Sequence, residues 1–81
     1  MDMLAAFDAT IEIAERRKMP EMPGTEFGLA HLRSMRGRIT PEFSEAKLGR
    51  WLGWAQCAVA ASGFSSLEEM KEINLKFAAP K

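Results

Sequence analysis

The stretch 43–63, FSEAKLGRWLGWAQCAVAASG, decides the fold. It holds both tryptophans, the lone cysteine and the longest apolar-periodic run in the chain. On a helix, Leu48, Trp51, Leu52, Ala55, Val59 and Ser62 fall near one face, at offsets of 0, 3, 4, 7, 11 and 14. A second face carries Gly49, Gly53, Cys57 and Ala60, all small. A helix with a bulky face beside a small-residue face can be packed on two sides. We therefore expect residues of about 44–62 to form the central helix, with the Gly49–Gly53–Cys57 side taking a close neighbour. Ser44 is the preferred N-cap, with Phe43 folding back as a hydrophobic staple. Thr40 with Pro41 behind it offers an earlier start. Gly63 is the natural stop, because glycine takes the left-handed conformation at little cost.

On the C-terminal side, Phe64-Ser65-Ser66-Leu67-Glu68-Glu69 contains two overlapping capping boxes, Ser65 with Glu68 and Ser66 with Glu69. Either starts a last helix of about 67–77, with Leu67, Met70, Ile73 and Phe77 turned inward and Glu68, Glu69, Lys71, Glu72 and Lys76 outward. Residues 78–81 read as a frayed tail. On the N-terminal side, Thr25 with Glu26 behind it reads as the cap of a helix over about 26–37. Leu29, Leu32 and Met35 would face inward, and His31, Arg33, Arg36 and Arg38 outward. Before it, MPEMPG at 19–24 is a break, since Pro20 and Pro23 remove amide donors. The first helix is expected over about 2–18, with Leu4, Phe7, Ile11 and Ala14 as its apolar stripe. Its charges run from Asp2 and Asp8 to Arg16, Arg17 and Lys18, the order that suits the helix dipole.

No alternating run of β-branched residues competes with these helices. The expected fold is a single all-α domain, a bundle of about four helices. At 81 residues it lies near the lower limit for folding without disulfides or metals. A hydrophobic fraction of 47% argues against disorder. No segment approaches the roughly 18 apolar residues of a membrane span. No basic region followed by an apolar one marks a signal peptide. With one cysteine and no internal disulfide, the expected setting is a reducing cytoplasm.

The formal net charge is zero, from eleven basic and eleven acidic side chains, which removes a net-charge argument for nucleic acid. The charges are nevertheless segregated. Residues 1–15 hold Asp2, Asp8, Glu12 and Glu15 and nothing basic, whereas Arg33, Arg36, Arg38, Lys47 and Arg50 outnumber Glu42 and Glu45 over 33–50. The plain reading of a charged helix face is solvation. The functional one is a basic surface, Arg33, Arg36, Arg38, Lys47 and Arg50 with Trp54 at its edge, that meets a protein partner, since arginine and tryptophan are enriched where proteins associate. The alternative is an acidic face, Asp8, Glu12 and Glu15, that imitates nucleic-acid phosphates. Trp51 reads as core.

Catalytic, cofactor-binding and metal-binding residues are not expected. Cys57 with His31 is the available nucleophile–base pair, and a cysteine in an alanine-rich helix usually serves as a small hydrophobe. No second ligand stands at metal spacing from His31. A basic second helix on a phosphate backbone keeps a small DNA-binding regulator as an alternative, though the helix lacks neighbouring Asn or Gln for reading bases. A structural homo-oligomer is a third.

The blocks AHLRSMRGRI (30–39), KLGRWLGWAQCAVAASG (47–63) and SLEEMKEIN (66–74) together resemble small phage- or prophage-encoded accessory proteins. The shared features are a His-Leu-x-x-Met helix, a Gly-Arg-Trp-Leu-Gly-Trp box and a short acidic last helix, over about residues 30–75. The resemblance implies a protein that binds and inhibits a bacterial defence or regulatory complex such as a CRISPR–Cas effector, in the manner of anti-CRISPR proteins. The expected partner is a host protein complex, with a homodimer left open and nucleic acid not favoured.

Overall fold

A computed structural model describes residues 1–78. The frayed tail expected at 78–81 lies, beyond Ala78, outside the described residues. Four helices follow in order: α1 (Met3–Arg16), α2 (Leu29–Arg38), α3 (Glu45–Ala61) and α4 (Leu67–Lys76). There is no strand among the described residues, and none of the helices is long and apolar enough to cross a membrane. The chain is an all-α bundle.

The helix ends follow local chemistry. Asp2 caps α1 by accepting the Ala5 amide at 3.0 Å. The helix stops two residues before the expected Lys18 because a Schellman turn closes it. The Lys18 amide donates to Glu15 O and the Met19 amide to Ala14 O, with Lys18 in the left-handed region at φ 59°. The same turn ends α3, where Gly63 takes φ 84° and the Phe64 amide reaches Val59 O at 3.2 Å. Ser44 caps α3 through the Lys47 amide. Of the two capping boxes before α4, the Ser66–Glu69 register forms.

The start of α2 departs from the expected cap at Thr25. Gly28 is the N-cap, and the linker backbone satisfies the first helical amides. Leu29 donates to Pro20 O at 2.8 Å and Ala30 to Glu21 O at 3.1 Å. Backbone and helix approach so closely there that a Cβ on Gly28 would lie 2.1 Å from Glu21 O. Thr25 closes a tight turn instead, its hydroxyl donating to Met22 O at 2.8 Å beside Gly24 at φ 82°.

Helix α3 is the longest, but α1 is the helix against which all the others pack, α3 most extensively. Its buried face is correspondingly wide: Ala6, Phe7, Thr10, Ile11, Ile13 and Ala14. These meet Leu29, Leu32 and Met35 of α2, and Leu52, Ala55, Ala58 and Val59 of α3. The bundle is a slab of 38 × 28 × 16 Å in Cα extents, so few side chains are enclosed from every direction. Phe7, Leu32, Val59 and Thr10 are the largest that are.

Several inward expectations are corrected by this shape. Leu4 lies at the slab's edge beside the α2–α3 connection and is exposed. Leu67 is 66% exposed because α3 and α4 diverge, leaving an open groove in which it stands. Cys57 faces that same groove and is exposed, and so is Gly53, with nothing within 4 Å of where its Cβ would be. The small-residue face of α3 is therefore not packed by a close helix, apart from Gly49, whose Cβ would touch the Met3 sulfur at 3.7 Å. Trp51 is partly buried rather than core, its ring edge-on to Phe43 with centroids 4.9 Å apart.

Candidate functional site

The segregated charges of the sequence find each other inside the fold. Helix α2 lays its basic side along the acidic side of α1. Arg33 Nη1 donates to both oxygens of Glu21, at 2.8 and 2.7 Å, and its Nη2 donates to Glu15 at 2.7 Å. Arg36 Nε donates to Asp8 at 2.6 Å, and Nη2 at 3.3 Å. Hydrogen bonds from Arg33 to Glu15 and Glu21, and from Arg36 to Asp8, raise both guanidinium pKa values. Two members of the basic surface and two of the acidic face are thus each other's partners. Glu12 forms no ion pair among the described residues.

The remaining basic residues have a different setting. Arg38 and Arg50 line a cleft of about 380 Å³ between α2 and α3, together with Trp51, Trp54, His31, Met35 and Glu26. Arg38 donates to Ser34 Oγ at 3.1 Å. Neither arginine has an ion-pair partner among the described residues. Trp54 is 38% exposed at the rim, with the Phe27 ring tilted 45° against it at 5.9 Å between centroids. Lys47, one turn before Arg50, sits over the Phe43 ring at 4.2 Å and near Trp51 at 5.7 Å. That is a cation–π arrangement, which holds the ammonium beside the cleft wall rather than within it.

Of the six basic and aromatic residues expected at a partner surface, the structure gathers Arg38, Arg50 and Trp54 in one recess. It places Lys47 next to that recess and turns Arg33 and Arg36 to the α1–α2 seam. Periodicity gave no sign that Met35 or Trp51 would line the recess, or that a loop residue, Glu26, would join them. The recess can offer two full positive charges and an aromatic platform, with one carboxylate opposing. His31 and Cys57 line different hollows, so no nucleophile–base pair forms. No cluster of metal-ligating side chains occurs among the described residues.

Two polar features escaped the sequence reading. Gln56, buried on α3, donates to Asn74 Oδ1 at 2.8 Å and to Thr10 Oγ1 at 3.3 Å, and accepts from Asn74 Nδ2 at 3.1 Å. Thr10 in turn donates to Ala6 O at 2.8 Å. At the other end of α1, Arg17 makes a bidentate pair with Glu69 and also donates to Phe64 O at 3.0 Å. A glutamine on an otherwise apolar stripe is the signal that could have pointed to the first. Nothing local points to the second, whose partners are 52 positions apart.

The fold and recess define a small all-α bundle with an arginine–tryptophan cleft between its second and third helices. Comparison of the chain with protein-family models, with curated proteins and with solved structures returns no significant match.

Proposed function

We propose that this protein is a non-enzymatic protein-binding inhibitor that docks its α2–α3 cleft on an acidic surface of a bacterial defence or regulatory complex and acts by occupying that surface. What carries the reading is the contrast among the arginines. Arg17, Arg33 and Arg36 each hold a carboxylate of the same chain, whereas Arg38 and Arg50, like Arg16 without such a partner among the described residues, are the two that flank an exposed tryptophan. Unpaired cations around an aromatic are the composition of an interface hot spot. The choice of a bacterial complex such as a CRISPR–Cas effector extends, as part of this proposal, the resemblance of about residues 30–75 to phage accessory proteins.

A DNA-binding reading draws less support, because two cations it would need, Arg33 and Arg36, already neutralise α1 carboxylates. The test is affinity capture from a bacterial lysate with wild-type protein and with R50E and W54A. The expected result is a defined complex retained by the wild type and lost by both variants. Equal retention by the variants, or recovery of nothing beyond the bait, overturns the proposal.

A further inference from the structure

The recess is not open along its whole length: two residues of the 19–28 linker lie on it. Glu26 lines the cleft and Phe27 rests on Trp54, so an acidic residue followed by an aromatic already stands where a partner would dock. We infer that Glu26–Phe27 is a displaceable strap, and that the partner segment recognised here is a short peptide stretch in which carboxylates flank an aromatic side chain. The inference rests on the protein-binding reading of the cleft and deepens it.

The linker is built in two parts. Its base is fixed by the amides of Leu29 and Ala30 on Pro20 O and Glu21 O, and by the contact at Gly28 that leaves no room for a side chain. Its tip, residues 22–27, is exposed throughout and hydrogen-bonds chiefly to itself, Met22 O accepting from both the amide and the hydroxyl of Thr25. Gly24 and Met22 both take positive φ there. The tip meets α3 through the Phe27–Trp54 ring contact, and Phe27 keeps 56% of its surface exposed. Glu26 reaches neither Arg38 nor Arg50 closely enough to form an ion pair.

The strap therefore covers part of the Trp54 face at the rim, through Phe27, and leaves Arg38 and Arg50 without an ion pair. An incoming segment with carboxylates on both sides of its ring satisfies the tryptophan face and both arginines, and so outcompetes the strap. Charge complementarity to Arg38 and Arg50, which carry no ion pair among the described residues, selects an acidic occupant. A strap that closes part of the population lowers apparent affinity in proportion to the fraction left open. A single tilted aromatic contact corresponds to a roughly two- to tenfold effect.

The full-length protein is titrated against a fluorescein-labelled, capped peptide of sequence Asp-Glu-Phe-Glu-Asp by fluorescence anisotropy, with a labelled oligo-dT strand as a second probe. Wild type is expected to bind the peptide saturably and less tightly at high salt. F27A is expected to bind it roughly two- to tenfold more tightly, E26Q at least as tightly as the wild type, and R50A more weakly. Phe27 and Glu26 are exposed, so both variants should keep the wild-type helical circular dichroism, and each serves as the control for the other. Unchanged or weaker binding by F27A, with R50A still weakened, overturns the strap whatever E26Q does, and leaves the cleft reading standing. No peptide binding by any variant overturns both. Preference for oligo-dT over the peptide assigns the cleft to nucleic acid and overturns the peptide assignment.

Discussion

The Glu69 carboxylate takes hydrogen bonds from both terminal nitrogens of Arg17, from the Ser65 hydroxyl at 3.0 Å and from the Ser66 amide at 3.2 Å. These donors favour the ionised form, Arg17 foremost, and hold its pKa at about 2 against an ordinary 4.5. Because the folded value is depressed, the unfolded chain binds more protons between the two values. The stabilisation is complete above about pH 4.5 and is lost as pH falls through that window toward 2. The melting temperature of the wild type should therefore drop more steeply from pH 5 to pH 2 than that of E69Q, which should melt lower at neutral pH. Parallel curves for the two proteins would remove Glu69 from this role. The glycines give a second residue-scale prediction. Gly28→Ala drives a Cβ to 2.1 Å from Glu21 O, backbone that cannot step aside, and should cost about 1–3 kcal/mol of unfolding free energy. Gly53→Ala places its methyl in open space within a helix and should stabilise by up to about 1 kcal/mol. Urea titrations of the two variants should move the midpoint in opposite directions. The spacing of Gly49 and Gly53 suggested close helix approach, and spacing alone does not say whether a neighbour is there. The glycine that a close approach does require, Gly28, lies in a linker with no periodicity to draw the eye.

At the scale of the helices, the caps of α3 and α4 were legible, while the cap of α2 and the helix partners were not. Ser44, Gly63 and the Ser66–Glu69 box act within a few residues of themselves, so the local sequence carries their whole mechanism. The role of α1 depends on what surrounds it. Counting its large side chains gave one narrow stripe, Leu4, Phe7, Ile11 and Ala14. Its buried surface leaves out Leu4 and adds Ala6, Thr10 and Ile13, because three helices pack around it. Threonine on that surface is tolerable only because its hydroxyl is satisfied by Ala6 O and by Gln56. The Gln56–Asn74 amide pair then joins α3 to α4 where the two helices otherwise diverge. Gln56→Leu should cost about 1–3 kcal/mol, since it strands the Asn74 amide in a partly buried site. A double-mutant cycle with Asn74→Ala should return a coupling of about 0.5–3 kcal/mol. Strict additivity in chemical denaturation would mean that the pair is coincidental and contributes nothing to holding α4.

For the molecule as a whole, a net charge of zero hides two separate uses of basic residues. An even balance with blocks of opposite sign suggested either a basic or an acidic docking face, and the fold has folded much of one onto the other. Asp8 and Glu15 are taken by Arg36 and Arg33, so a phosphate-like acidic surface keeps only Glu12 of its three expected members free of ion pairs among the described residues. Sequence order could not reveal this, because whether two helices place their charged sides together depends on the linker between them. Here the linker is backbone-bonded to the start of α2, which fixes α2 alongside α1. The consequence is a division of labour that mutation can read in two independent signals. Arg33→Ala and Arg36→Ala remove exposed, salt-screened pairs, a class that contributes little individually. They should lower the melting temperature slightly and leave acidic-peptide affinity at the wild-type value. Arg38→Ala and Arg50→Ala remove no ion pair, so they should melt as the wild type does and bind the peptide several-fold more weakly, with a shallower salt dependence. Melting curves and anisotropy titrations on the four variants form one table of eight values. Loss of peptide affinity in the Arg33 and Arg36 variants, equal to that in the other two, would show that net positive charge rather than the cleft attracts the ligand.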